Sequence, residues 1–180
     1  MKAEKKYLIV GVGNLLYGDD ALGPLLAESL AECGANSINA ETDAFTSASY
    51  IEGARSVIFL DVFDPSYGPE GEVVRVRIDP RKLSREELSL LISRETGAHD
   101  VTPAHIVALA YASGTFNGEA WVIGPVVKET MFGQPPSNIV INSIEKILGV
   151  LEETLHEKLD KDCVRKKFSE KIEELKKKLF

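Results

Sequence analysis

Three polar groups in this chain follow or precede apolar segments, and together their types suit a divalent transition metal. Asp19 and Asp20 form an acidic pair in Gly11-Val12-Gly13-Asn14-Leu15-Leu16-Tyr17-Gly18-Asp19-Asp20, a loop that runs on to Gly23. Asp61 comes directly after Val57-Ile58-Phe59-Leu60, and His99 lies ahead of an alanine-rich apolar stretch. Two carboxylates and one imidazole supply three ligands and leave coordination positions for water or a substrate group. Each residue also has a plainer reading. An Asp at a helix N-cap stabilises the helix by about 1 kcal/mol, and a second acid in the first turn complements the helix dipole. Spacing alone favours that explanation for Asp19 and Asp20. Asp61, after four apolar residues, is a partly desolvated carboxylate in need of a compensating partner. His99 alone reads as an ordinary loop histidine. His105, on a predicted helix beside Ile106, and His156, on an exposed one, are weaker ligand candidates. The case for a metal rests on the convergence of Asp20, Asp61 and His99.

A phosphate reading of the glycines fails in detail. In a G-x-G-x-x-G fingerprint the third glycine falls at position 16, which is Leu16. Helix N-termini bind pyrophosphate because their amides and dipole are positive, and two carboxylates placed there repel it. The partner of this loop is cationic. The chain contains neither an H-E-x-x-H helix nor a G-x-S-x-G elbow, which argues against standard metalloprotease and serine-hydrolase chemistry.

Convergence requires strands that end side by side. Residues 5–10 read as a first strand stopped by Gly11. A helix follows from about Asp20, with Leu22, Leu25, Leu26 and Leu30 on one face and Gly34 as its stop. Residues 37–41 read as a strand, 47–54 as a helix, and 57–60 as a strand buried on both faces. A turn-rich loop at 64–71 leads to a strand at 72–78 with at least one polar side. Residues 84–93 are predicted helical, 97–103 a loop carrying His99, 106–112 a buried helix, and 120–123 the last strand. Ser137 caps a long helix from Asn138 to about Lys158. This order predicts a three-layer α/β/α sandwich on a twisted, mostly parallel five-stranded sheet, with function at the carboxyl ends of the strands.

Residues 1–158 are expected to form the single α/β domain, and 159–180 a charged helical extension. Val164, Phe168, Ile172, Leu175 and Leu179 make a stripe on that extension. It reads as a helix laid on the domain, with a small coiled-coil contact to a second subunit as the sharper alternative. The net charge of −7 and pI of about 5.1 argue against nucleic-acid binding. No apolar run approaches the roughly 18 residues of a membrane span, and the Lys-rich start lacks a signal-peptide pattern. Cys33 and Cys163 lie far apart, so neither a disulfide framework nor a cysteine zinc site is expected. The expectation is a reduced, cytoplasmic protein.

The segment from Gly11 to Gly23 closely resembles the G-x-G-N-x-x-x-x-D-[DE]-x-x-G signature of the hydrogenase maturation proteases. The likeness continues through Phe59-Leu60-Asp61-Val62-Phe63-Asp64, Gly68-Pro69-Glu70-Gly71-Glu72-Val73, His99 and Trp121-Val122-Ile123-Gly124, covering about residues 5 to 155. The resemblance implies an endopeptidase that trims the C-terminus of a [NiFe]-hydrogenase large-subunit precursor. It assigns Asp20, Asp61 and His99 as metal-contacting and catalytic residues, with His105 as the alternative histidine. Asp19 becomes a supporting or capping acid, and Asn14 a brace for the loop. The nickel is carried by the precursor, no tightly bound organic cofactor is implied, and no membrane insertion is expected. The protein is expected to be a monomer or a weak homodimer through the C-terminal helix. Water is activated either on the metal or by Asp20 or Asp61 as general base. Two departures stand out: residues 41–46 lack the glycines of the family's D-G-G-T-like stretch, and the tail extends past the usual end. A nickel-dependent precursor-binding protein that does not cut is the alternative from another class.

Overall fold

The computed structural model describes residues 6–41, 44–88, 102–128 and 130–179. Five strands form one sheet: β1 (Leu8–Val12), β2 (Ser37–Glu41), β3 (Ser56–Leu60), β4 (Val73–Ile78) and β5 (Glu119–Pro125), in the order β2-β1-β3-β5-β4. β1 runs parallel to β2 and β3, and β3 parallel to β5; β4 is antiparallel to β5. The mostly parallel five-stranded sheet therefore matches the expectation. The helices are α1 (Leu22–Glu32), α2 (Ala44–Tyr50), α3 (Pro103–Ala112), α4 (Asn138–Leu155) and α5 (Lys161–Leu179).

The central strands are apolar throughout because both faces are covered. Ile9, Ile58, Leu60 and Ile123 pack into one buried cluster with α1, α4 and α5. Their neighbours Leu8, Val10, Val57, Phe59 and Val122 pack into a second with α2 and α3. The edge strand β4 alternates instead, and Arg75 and Arg77 lie over the Trp121 ring at 5.4 and 5.8 Å.

Several boundaries differ from expectation for local reasons. Gly11 does not stop β1. It lies within the strand, where a side chain is barred: a Cβ there would sit 2.2 Å from the Gly23 carbonyl oxygen. α2 ends at Tyr50, before Gly53 turns the chain with φ +70°. α4 stops at His156, which takes a left-handed conformation at φ 53°. Residues 85–88 are helical, opened by a reciprocal cap: the Ser84 N–H donates to Glu87 and the Glu87 N–H to the Ser84 hydroxyl. The rest of that predicted helix, and His99, lie outside the described residues.

α5 lies along α1. Val164, Phe168, Ile172 and Leu175 are buried in the first cluster, while Leu179 is exposed. Lys171 pairs with Glu28 and Glu32, and Lys167 with Glu32, so the two helices run antiparallel. This brings Cys163 to the end of α1, where it forms a disulfide with Cys33. The expectation of reduced cysteines is thereby corrected. A separation of 130 residues in sequence carries no information about distance once a late helix folds back on an early one. No described helix is long and apolar enough to cross a membrane.

Candidate active site

From β1 the chain passes through α1 to β2 on one side, then through α2 to β3 on the other. The connections leave the carboxyl ends of β1 and β3 in opposite directions, which opens a crevice at a topological switch point. Asp20 and Asp61 lie at this crevice. Glycines let the backbone close up around it. A Cβ at Gly23 would stand 2.1 Å from the Val12 carbonyl oxygen and 2.4 Å from that of Leu60; at Gly13, where φ is +138°, it would stand 2.0 Å from the Asp20 carbonyl oxygen. A side chain at Gly124 would meet the Asp61 carbonyl oxygen at 1.6 Å. These glycines do not cradle a phosphate. They allow the start of α1 and the end of β5 to press against the strand ends that carry the acids.

The acids lie in a 3-10 turn, Gly18–Ala21, that precedes α1, and neither caps the helix it enters. Asp20 Oδ2 instead accepts the Asn14 N–H at 2.8 Å. The Asn14 side chain accepts the Leu16 N–H at 2.9 Å, closing a local turn and bracing the loop as expected. Asp19 points the other way: it accepts the Ser137 N–H at 2.6 Å and the Ser137 hydroxyl at 3.0 Å. Ser137 occupies the N-cap of α4, but its hydroxyl is turned to Asp19 and makes no cap bond. Asp19 thus ties the acidic turn to the start of α4, buried, while Asp20 faces the crevice.

Among the described residues Asp61 accepts only the Val62 N–H, at 2.8 Å, to offset its burial. Desolvation first, and the neighbouring Asp20 charge second, push its carboxyl up to about 8. Desolvation also raises Asp20, against the lowering effect of the Asn14 N–H. Two desolvated carboxylates in mutual repulsion retain a proton at neutral pH. A cation between them would displace that proton and supply the compensating charge.

The pair opens into a cavity of about 270 Å³ lined also by Phe63, Asp64, Lys128 and Thr130. Pairing beyond the formal strands sets Phe63 and Val127, which also lines the cavity: the Phe63 N–H donates to the Pro125 carbonyl and the Val127 N–H to the Phe63 carbonyl, both at 2.9 Å. Lys128 was not among the candidates from sequence, yet its position after β5 is a strand's carboxyl end like that of Asp61. Its ammonium is held by Glu70 at 2.9 Å. Asp64 was likewise missed; it caps the short 3-10 turn Pro65–Tyr67 by accepting the Ser66 N–H.

His105 is occupied structurally. It forms a capping box with Thr102 at the start of α3, with Nδ1 2.9 Å from the Thr102 hydroxyl. His156 lines a separate hollow with Glu152, Glu153 and Glu157. Among the described residues no three His, Cys, Asp or Glu side chains lie close enough to hold a metal. Asp20 and Asp61 are brought together, and the third expected ligand, His99, lies outside those residues.

Fold and site define a doubly wound α/β protein whose switch-point crevice holds a coupled carboxylate pair. No protein-family model matches the chain. The hydrogenase expression/formation protein HoxM of Azotobacter vinelandii is 31% identical over 159 residues, covering 84% of this chain and 72% of that protein. HupD of Thiocapsa roseopersicina, also a hydrogenase expression/formation protein, is 32% identical over 130 residues, covering 69% of this chain and only 55% of that relative. Among solved structures, the [NiFe] hydrogenase maturation protease HybD from Thermococcus kodakarensis superimposes with a TM-score of 0.59 at 25% identity, over 83% of this chain and 99% of that one. A hydrogenase 2 maturation peptidase from a Thaumarchaeota archaeon gives 0.56 at 26% identity, over 84% and 98%. The chain belongs to the hydrogenase maturation protease family.

Proposed function

We propose that this protein is an endopeptidase that removes the C-terminal extension of a [NiFe]-hydrogenase large-subunit precursor after nickel insertion. The observation that carries this reading is the Asp20–Asp61 pair, desolvated, mutually repelling and aimed into one crevice. The precursor's nickel supplies the missing positive charge, met by Asp20, Asp61 and His99. A precursor without nickel offers no cation and leaves the two acids sharing their proton, so recognition doubles as a check on metal insertion. Once the metal is seated, Asp20 and Asp61 are both ionised and fix the scissile segment beside it. The metal's open positions polarise the carbonyl or a bound water. We place the protein in the cytoplasm, where the precursor is matured, and read its two-faced core as the expected three-layer sandwich.

The test is an intact-mass assay with a hydrogenase large-subunit precursor, with and without nickel. Loss of a discrete C-terminal peptide only in the nickel-loaded sample is expected. A stable complex with the nickel-loaded precursor and no mass change refutes cleavage and leaves a non-cutting binding protein.

A further inference from the structure

Six large apolar side chains are exposed among the described residues, and four of them border the loops around the carboxylate crevice. Leu16 is 40% exposed, Met131 55% and Phe132 68%, on two loops that lie against each other. The Gly133 N–H donates to the Leu16 carbonyl at 2.9 Å, and the Phe132 ring sits edge-on to Tyr17 at 5.4 Å. The loop of Met131 and Phe132 continues directly from Thr130, which lines the crevice, and packs over Gly18, two residues before Asp20. On the other side Tyr67, 51% exposed, leans on Phe63, which also lines the crevice, with centroids 4.9 Å apart.

We infer that Leu16, Met131 and Phe132 form a docking shelf for an apolar stretch of the precursor chain next to its metal-anchored segment. This deepens the peptidase reading and rests on it. Isolated exposed apolar residues need no explanation, but a cluster beside a polar crevice marks a binding surface. The three shelf side chains are apolar, while the crevice beside them is lined by Asp20, Asp61, Asp64 and Lys128, so the shelf complements an apolar stretch and the crevice a charged group. An extended chain whose metal lies between the two acids must leave the crevice over its rim; the shelf is the side of that rim next to Thr130 and Asp20, with Tyr67 on the opposite side. A second copy of this chain seated there would instead cover the crevice and shut the substrate out.

The L16S/M131S/F132S variant tests this. All three side chains are exposed, so the fold and melting temperature should be retained. With a nickel-loaded large-subunit precursor from the same organism, KM should rise about tenfold or more while kcat stays within about twofold, the signature of lost binding common to ground and transition states. An unchanged KM overturns the shelf while leaving the peptidase reading intact. If the wild-type protein does not cut, hydrogen exchange decides separately. Protection of 14–18 and 130–134 by the precursor, lost in the variant, supports the shelf, and no protection overturns it. Sedimentation showing a wild-type dimer that the variant dissociates also overturns it in favour of self-association.

Discussion

Replacing Asp61 by Asn should stabilise the protein at neutral pH, and the gain should depend on pH in a defined way. The folded-state carboxyl titrates at about 8 because it is desolvated beside Asp20, against an ordinary value of 3.8. A group raised on folding contributes its full stability below the unfolded value and loses it as pH rises through the folded one. Between pH 4 and 8 the unfolded state is ionised while the folded state still holds its proton, so the wild type loses about 1.4 kcal/mol per pH unit. By pH 7, some three units above the unfolded value, the accumulated loss is about 4 kcal/mol. Asn keeps an oxygen for the Val62 N–H and has no proton to lose. Urea melts at pH 4, 7 and 9 measure the difference. With a slope of about 2 kcal/mol per molar, the variant's midpoint at pH 7 should lie about 2 M higher, with near-coincidence at the lowest pH and no further growth well above pH 8. Equal midpoints at pH 7, or a gap that does not change between pH 4 and 8, would refute the picture of a desolvated, coupled acid.

Asp20→Ala, Asp61→Ala and His99→Ala should each abolish precursor processing with the fold retained, as read by intact mass and circular dichroism; near-wild-type processing by any one removes that residue from the site. His105→Ala should keep processing and lose about 1 kcal/mol of stability through its cap on α3, measurable by denaturant titration. Gly23→Ala, whose Cβ would press on two carbonyl oxygens, should cost about 3 kcal/mol or more, and wild-type stability of that variant would contradict the close approach described. Reducing the disulfide, or Cys33→Ser, should lower the melting temperature; the chain-entropy bound for so long a loop is about 5 kcal/mol, and an unchanged melt would show that α5 is held by its packing alone.

Legibility from sequence tracked how local the cause was. β3 and Asp61 could be read because a strand covered on both faces has to be continuously apolar, and Asp61 ends it. The loop from Gly11 could be read as acidic and unsuited to phosphate. The roles of its glycines and of its two acids could not. Gly11 serves a contact with α1 rather than a strand stop, and Asp19 is committed to Ser137, 118 residues away. Nothing in the sequence around Lys128 marks it; only the sheet order places the end of β5 beside that of β3. The disulfide was hidden for the same reason, since it depends on α5 returning to α1. His105 looked like an alternative ligand from its position near an apolar helix, whereas its pairing with Thr102 is a helix-start device.

The return of α5 also bears on how the molecule is made. Synthesis delivers α1 early and α5 late, and domains emerging from the ribosome otherwise begin to fold from the N-terminal side. One side of the sheet can complete its core once β5 and Val126 are out, but the other lacks Val164, Phe168, Ile172 and Leu175 until those residues have been translated. Until then the outer surface of α1 is an exposed apolar face on a nascent chain. That interval is when a folding helper would have most to bind, and Cys33 can meet Cys163 only at its close.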